Sequence, residues 1–595
     1  MRRTTQALTT MRFALFGHVA VAAVLGALTL GLYASTADFP FVFDDLNNIR
    51  DNPHIRAEQL SWDALWRAAT HGPTRRPVAY ASFAVSYRVG GLEPAAYRWG
   101  NVAVHAVCGW LVYLLALRLL ALHGRLSSQS PPRSFPMTRV AAALLTAAIF
   151  VAHPLQTQSV TYVVQRMASL SALFSLVSLL CWLAGRVRAG GARRWLWVAA
   201  FTSWLLALLS KENAATLPAV VLLIEWFFLR DLDPAWLRRH AVAIGAVAAV
   251  GVGLGVAYLA VWTTSHGWEL YGFTPVERIL SESRVLWRYL ALVALPLPSW
   301  QNLSHEVAVS RSLLEPPTTL VAGVGLALLF AGLVAAARRR RLVVFCGLWF
   351  FVNLVIESSF VPLALMWEHR LYLPLVGPAL LVSHTLFGFR PRMTPCAVAV
   401  GMALVALLAA GTVLRNQIWR DETTLWSDVV SKSPGDARAW NNLGRTHEQS
   451  GRLEAAEQAF SEAVQLDSEY PRARANLGIT LHRLGRIDEA LEAYGVALRL
   501  EPGIATTWSN RGSAYLALGR WDEARDDYLA ALRLAPRSAS AHYGIGMALA
   551  NLGTWDAAAE HLEEALRLDP DNADVRHLLQ AVRQARALGL EAPPP

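Results

Sequence analysis

The stretch WNNLGRTHEQSGRLEAAEQAF, residues 440–460, returns down the chain at a fixed step. Its two glycines, Gly444 and Gly451, come back as Gly478, Gly512 and Gly546, and as Gly485, Gly519 and Gly553. Ala463 is followed by Ala497, Ala531 and Ala565, and Pro502 by Pro536 and Pro570. The step is 34 residues throughout (444 to 478, for example). A period of this length is one helix pair that buries its apolar face only by stacking on its neighbours. The alanines and the first glycine series supply the small side chains needed where the two helices touch. The prolines end the second helix, because they lack the N–H that the next turn requires.

The pattern W-x2-L-G-x2-(H/Y)…A…(F/Y)…A…P resembles the tetratricopeptide repeat. Four repeats are expected over 437–572, closed by a polar capping helix at 573–588. Pro434 is in phase with Pro502 over two steps, so DETTLWSDVVSKSP (421–434) reads as the second helix of a half-repeat. The segment 416–436 would then join the repeats, 437–595, to what precedes them without a flexible linker. Ready cleavage between 415 and 437 in limited proteolysis of the native protein would count against this.

Outward from there, residues 1–415 have another character. The 595-residue chain is 54% hydrophobic and only 16% charged, with a mean hydropathy of +0.32. So much apolar surface points to a polytopic membrane protein. Apolar runs are expected to span near 13–33, 100–121, 139–153, 167–185, 195–210, 213–229, 241–263, 317–337, 342–361, 371–388 and 395–414. The run at 13–33 is too long for a signal peptide and is read as a retained first helix. The shorter, proline-ended 284–298 is read as re-entrant or interfacial. Lys211 and Lys432 are the only lysines, and the arginines gather in short loops such as RVRAGGARR (186–194) and RRRR (338–341). Arginine-bearing loops at 122–138, 186–194, 230–239, 338–341 and 390–392 all fall on the N-terminal, inner side if there are eleven spans. The loops 34–99, 154–166, 264–316 and 362–370, and the repeats, then face outside. No basic patch interleaved with aromatics occurs, which excludes a nucleic-acid face. Cys108, Cys181, Cys346 and Cys396 lie in or beside apolar runs without metal spacing and read as small buried side chains.

The loop after the first span begins FVFDDLNNIRDNPHI (41–55). Adjacent Asp44 and Asp45 open a polar set with Asn47, Asp51, Asn52, His54, His71, Arg75 and Arg76. An aspartate pair can cap a helix, but one cap needs one acid and adjacent carboxylates repel. Ionisable residues in or beside apolar runs are costly unless paired or functional. Here they are His105, His153, Arg166, Lys211, Glu212, Glu225, Glu357, Glu368, His369 and Arg370. Ion pairing alone describes Glu225 with Arg230, and Lys211 with Glu212. The expected topology puts His153, Arg166, Lys211, Glu368 and Arg370 on the side of Asp44 and Asp45. Acids and bases gathered there suit a hydroxyl that needs a base and a leaving anion that needs positive charge.

The pieces FVFDDLNNIRDNPHI, RRPVAYASF, YRWGNVAVHAVCGWLVY, HPLQTQSVTYVVQRMASLSALF, SKENAATLP and EHRLYLPLVG, in this order and ahead of the repeats, resemble the transmembrane-and-tetratricopeptide-repeat proteins. These are relatives of the protein O-mannosyltransferases, within the membrane glycosyltransferase class called GT-C. The resemblance covers most of the chain and is weakest over 264–316. It implies an all-α chain, a GT-C-like membrane domain over 1–415 followed by a repeat solenoid. It also implies transfer of a sugar, with inversion, from a polyprenyl-phosphate donor to a hydroxyl of a polypeptide held outside. Asp44 or Asp45 would be the base, with Asp44 preferred. Arg370, Lys211, Arg166 and His153 would hold the donor phosphate, and Glu368, Glu212 and His105 would support them. A divalent metal on the aspartates stays open, since two acids alone do not make a site.

Two other readings remain: a membrane-anchored scaffold whose repeats recruit envelope proteins, and a polymerase or ligase of lipid-linked glycans. The arginine-rich, lysine-poor usage points to a bacterium with GC-rich codons. The expected location is therefore the bacterial inner membrane, amid membrane lipid, with the N-terminus cytoplasmic and the repeats outside.

Overall fold

A computed structural model describes residues 2–127, 136–263, 272–388 and 394–589. Among them no strand occurs. Two compact units emerge, Met1–Leu425 and Trp426–Pro595, and the division falls inside the helix Glu422–Lys432.

In the first unit the expected apolar runs are largely helical, but 342–361 is helical only to Leu354 and 371–388 becomes an α-helix only at Val376. Among the described residues, six helical stretches are long and apolar enough to cross a bilayer: Gly17–Thr36, Pro94–Leu126, Val163–Arg186, Glu212–Leu229, Thr318–Ala336 and Pro395–Gln417. A seventh is reached if Met137–Ala152 and Pro154–Val160, bent by 52°, count as one span. These are the marks of an integral membrane protein. Arg341–Leu354 and Val376–Gly388 are apolar but shorter. Gly190–Leu208 carries Arg193 and Arg194 in its first turns, which shortens its apolar part. Among the described residues, length and composition thus license six or seven spans, and the expected number of eleven is not reached there. The 284–298 run belongs to a helix Pro275–Ala294, started by a Thr274–Glu277 capping box and burying Arg278 and Glu282. Charge on its buried face is why it does not read as a span.

Between Pro136–Ala152 and Arg166–Arg186 the chain is broken into short turns, yet residues 153–165 are buried throughout. Irregular backbone at that depth stands only if other groups take its donors and acceptors. Asn101 Nδ2 donates to the carbonyls of Val160 (3.0 Å) and Val163 (3.3 Å). Arg98 donates to Thr161 (3.1 Å), and on its other side to the carbonyls of Phe39 and Pro40 (2.7 Å). One arginine thus clips the loop after the first span onto the buried turns, and this brings Asp44 and Asp45 to them.

The second unit keeps the 34-residue phase in its bonds. At one position of each repeat a side chain donates to the carbonyl six residues earlier: Trp440 to Pro434, Arg474 to Ser468, Trp508 to Pro502, His542 to Pro536 and Arg576 to Pro570. Tryptophan, arginine and histidine all do this because each offers an N–H on a long side chain. The first glycine series marks the helix crossing. A Cβ on Gly478 would stand 2.7 Å from the Tyr494 ring, and one on Gly444 2.7 Å from Phe460. The second series has left-handed backbone, with φ between 70° and 79°. A closing helix Ala573–Ala587 covers the last repeat with Val575, Leu579 and Val582. Gly478→Ala should overpack this crossing and destabilise the repeats by about 1–3 kcal/mol. Thermal unfolding followed by the helical signal would show it as a lowered midpoint, and an unchanged midpoint would refute it.

Candidate active site

The two aspartates occupy different surroundings. Phe43, just before them, has φ 52°, a left-handed conformation that an L side chain enters at a cost and that collects at functional sites. The turn is closed by Asp45 N–H to the Val42 carbonyl (3.0 Å) and Leu46 N–H to that of Phe43 (3.1 Å). Asp45 is fully buried. Its Oδ1 accepts from Val164 N–H at 2.7 Å and its Oδ2 from Val42 N–H at 3.3 Å. It makes no cap bond to the turn that follows. Asp45 therefore ties its own loop to the buried turns.

Asp44 is half-buried. Its N–H donates to the phenol oxygen of Tyr162 at 3.1 Å, and the same phenol bonds its carboxylate. Its carbonyl accepts from Asn48 Nδ2 at 2.8 Å, and Asn48 Oδ1 accepts from Tyr80 at 2.6 Å. The Asp44 backbone is thus pinned at both ends while its carboxylate faces Tyr162 and the charge of Arg76. Burial pushes this carboxyl above its ordinary value, against the pull of both. A raised value makes a stronger base near neutral pH.

From Arg76 a series of charges runs inward. Its guanidinium forks onto Glu212, Nε to Oε2 at 3.2 Å and Nη2 to Oε1 at 2.7 Å. Lys211 pairs with Glu357 at 2.5 Å, both almost fully buried. The expected local pair, Lys211 with Glu212, does not form, whereas Arg230 does meet Glu225 at 2.8 Å. Lys211 has extended backbone where Glu212 opens a tight helical turn, and side chains of successive extended residues point to opposite sides, so each found a partner from another segment. Arg278 pairs with Glu282 at 2.9 Å. Charges alternate along Asp44, Arg76, Glu212, Lys211, Glu357, Arg370, Glu282 and Arg278, each acting electrostatically on the next. Ordered this way, no buried charge lacks an opposite neighbour, which is the condition for burying it.

Several residues singled out from the sequence lie elsewhere or are engaged. Arg166 is buried, donating to Asn101 Oδ1 (2.6 Å), Ser82 O (3.0 Å), Ser86 Oγ (2.9 Å) and Tyr97 O (2.5 Å), with its charge over the Phe83 ring. Arg370 is a loop clamp, donating to the carbonyls of Leu365 (2.9 Å), Ala364 (2.6 Å) and Glu357 (3.3 Å). His153 starts the buried turns, its Nδ1 accepting from Leu155 N–H (3.3 Å) and its Nε2 near the Val293 carbonyl (3.2 Å). His105 lies between the Tyr372 phenol (2.7 Å) and the Val151 carbonyl (3.2 Å). Glu368 Oε1 accepts from Asn302 N–H (2.5 Å) and meets His305 Nε2 (3.0 Å), holding a loop from the stretch of weakest resemblance. Of the predicted set, Asp44, Lys211 and Glu212 are joined, and Arg370 continues the same series of charges.

Arg76, Glu357, Tyr162 and His369 complete the constellation. Arg75 and Arg76 are a basic pair in the same loop as Asp44 and Asp45, which was a usable signal. Tyr162 carries none, since an aromatic beside an apolar run looks like core. His369 N–H donates to Gln158 Oε1 at 3.2 Å, and burial beside Lys211, Arg370 and Arg76 holds its ring well below the usual histidine value. No group of three or more His, Cys, Asp or Glu among the described residues could hold a metal ion.

Burial, outweighing the Arg98 charge and two amide donors, raises Asp45 from 3.8 to about 7. The native state then keeps a proton that the unfolded chain releases near 3.8. The unfolded state binds fewer protons across that window, so stability falls as pH rises through it. The expected result is a denaturant midpoint that drops between pH 4 and 7 in wild type relative to Asp45→Asn. Parallel pH profiles for the two would rule this out.

Comparison with known proteins now has a geometry to meet. Tetratricopeptide repeat models match residues 436–500 and 509–573. The chain is 26% identical over 503 residues to Protein O-mannosyl-transferase Tmtc3 of Drosophila melanogaster, across 73% of this chain and 54% of that protein. It is likewise 26% identical over 501 residues to Protein O-mannosyl-transferase TMTC4 of Homo sapiens, across 73% and 64%. The family resemblance drawn from the sequence is borne out by these relatives. The chain spans between about half and two thirds of their length. Among solved structures, the crystal structure of YrrB, a TPR protein with an unusual peptide-binding site, is 22% identical over 27% of this chain and 84% of that one, with a TM-score of 0.26. A score this low carries no inference.

Proposed function

We propose that the chain is a membrane glycosyltransferase that moves a mannose-like sugar from a polyprenyl phosphate to a serine or threonine hydroxyl of a polypeptide. The name of its relatives, protein O-mannosyl-transferase, supports the reaction class. The observation that carries the reading is the division of labour in the aspartate pair. Asp45 is engaged by two backbone amides, while half-buried Asp44 faces the head of a series of buried charges. A purely structural acid would not need a second one held this way beside it.

In this mechanism Asp44 takes the proton of the acceptor hydroxyl as its oxygen attacks the anomeric carbon. The bond from that carbon to the phosphate oxygen breaks on the opposite face, so configuration inverts. Polyprenyl phosphate leaves with the electron pair, next to Arg76 and Lys211. Of the four candidates read from sequence Lys211 is kept, and Arg76 takes the place of the other three, because Arg166 and Arg370 already hold protein oxygens and His153 holds its own turn. Arg76 suits a phosphate through its fork of donors, and Lys211 adds a compact charge. Tyr162 and Asn48 keep the base in position. An apolar cavity of about 310 Å³, lined by Ile149, Val293, Phe350, Leu381 and Leu404 with His153 at its polar margin, suits part of the isoprenoid tail. Residues 1–415 would perform the transfer and residues 437–595 would hold the acceptor, outside the bacterial inner membrane. Support for that sidedness is the arginines that gather at the opposite end, such as Arg186 and Arg230 on Glu225 (2.7 and 2.8 Å).

The test is transfer by the full chain in lipid nanodiscs, from radiolabelled polyprenyl-phosphate mannose to a Ser/Thr-rich polypeptide. Label in the polypeptide is the expected result. Label only in a glycan would move the reading to a polymerase or ligase. No transfer from any polyprenyl-phosphate sugar by a folded preparation would leave the scaffold.

A further inference from the structure

The repeat unit separates its charge by helix row. The first helices of the four repeats, Ala437–Gln449, Pro471–Arg483, Ala505–Ala517 and Ala539–Asn551, hold six arginines and one acid, Glu448. The second helices, Leu453–Leu466, Ile487–Leu500, Trp521–Leu534 and Trp555–Leu568, hold fourteen acids and four arginines. Successive first helices touch one another across repeats, and successive second helices do so less. In a curved stack the row that closes on itself is the inner one, so the first helices line the concave face. Two bonds cross it, Asn476 Nδ2 to Asn441 Oδ1 at 2.9 Å and Arg483 to Glu448 at 3.1 Å.

The basic charge on this inner row is concentrated in the first two repeats. Arg438, Arg445, Arg472 and Arg483 are exposed there. The first three form no ion pair among the described residues. Arg511, by contrast, is turned to Asp527 of a second helix at 2.7 Å, which leaves the third repeat neutral on this face. Arg438 and Arg445 are two helical turns apart, roughly 10 Å at 1.5 Å per residue. Arg438 and Arg472 hold the same place in adjacent repeats, whose helices lie roughly 10 Å apart. An extended chain covers roughly 10 Å in three residues.

We propose that the inner face of the first two repeats binds an acidic, extended polypeptide segment, with carboxylates about three residues apart set against Arg438, Arg445, Arg472 and Arg483. The acidic outer row repels such a segment and confines it to the inner face. This rests on the reading of the repeats as the part that holds a polypeptide, and its test reads peptide binding alone, so its failure is distinct from a failure of sugar transfer.

The experiment is fluorescence anisotropy of the full chain in nanodiscs of neutral lipid, with a labelled twelve-residue peptide of repeating Glu-Ser-Ser. Controls carry Gln or Lys in place of Glu. Expected are saturable binding of the Glu peptide that weakens as salt rises, and no binding of the Gln or Lys peptide. Arg438→Glu with Arg472→Glu should weaken binding at least tenfold, while Arg438→Lys with Arg472→Lys keeps most of it. All four positions are exposed, so an unchanged melting curve is the folding control. A second pair, Arg445→Gln with Arg483→Gln, should weaken binding independently. Equal affinity for the Gln peptide, or no loss in both the charge-reversed and the Gln pairs, overturns the proposal. So does capture of phosphatidylglycerol vesicles, but not of the Glu peptide, through the same arginines.

Discussion

Asp44→Asn protein is expected to fold with a melting temperature close to wild type and to carry out the proposed sugar transfer at least about 10²-fold more slowly. The asparagine keeps the backbone N–H that donates to Tyr162 and the carbonyl that accepts from Asn48. What it loses is the one group placed to take a proton. Positioned bases contribute roughly 10² to 10⁴ in rate. Stability should hold or rise slightly, because removing the charge relieves a half-buried carboxylate beside Asp45. Asp45→Asn should behave in the opposite way. Its amide NH2 must face a backbone N–H of Val42 or Val164, so one buried donor goes unmatched at a cost of about 1–3 kcal/mol. Some transfer should survive at a temperature where the variant is folded. The check is a melting curve and a transfer assay on the same preparations. If Asp44→Asn unfolds and Asp45→Asn alone abolishes transfer in a folded protein, the roles assigned to the two are reversed.

The second large effect concerns Lys211 and Glu357, an ion pair of 2.5 Å with side chains 3% and 2% exposed. Glu357→Gln leaves the Lys211 ammonium buried without its partner. Breaking a buried pair from one side costs about 3–5 kcal/mol. The double variant Lys211→Met with Glu357→Leu removes both charges and should recover most of that loss, because the desolvation of two ions disappears with them. Recovered stability should not bring recovered transfer, since in the proposed mechanism Lys211 also supplies positive charge for the leaving phosphate. Stability measured by denaturant and transfer by label should therefore part company in the double variant. A double variant as unstable as the single one would mean that the pair is not the main interaction at either position. Full transfer by the stable double variant would remove Lys211 from the phosphate site.

The repeat solenoid was legible almost to the residue, because a 34-residue period is a local pattern written several times. Gly478 and Gly485 are required by different causes, a ring at 2.7 Å and a φ of 79°; the left-handed backbone recurs at every step, and so does a close side chain at the first glycine, a ring in three repeats and Leu562 against Gly546. The apolar helices were legible for a similar reason, since a run of apolar side chains is visible in one dimension. Their number as spans was less so. Gly190–Leu208 and Pro275–Ala294 mix charge into apolar stretches, and window averages do not say which side chains are buried against partners.

The candidate site divides along the same line. Composition and position alone marked Asp44, Asp45, Lys211, Glu212 and Arg370 as residues that do not belong in an apolar chain without a reason. They also suit the proposed chemistry, since acids and cations gathered together fit transfer from an anionic carrier. Who pairs with whom came only from the tertiary structure. Arg76 meets Glu212 across 136 positions, and Val164 N–H reaches Asp45 across 119. Lys211 bypasses the acid beside it for Glu357. Neighbouring side chains diverge from a backbone, and a buried charge is stable only beside whichever opposite charge packing delivers. The sequence by itself therefore determined the helices, the repeats and the kinds of residue at the site. Packing decided that Asp45 would be a tie, Asp44 a base candidate and Arg166 a clamp, because each of those roles is a matter of which donors and acceptors surround the side chain.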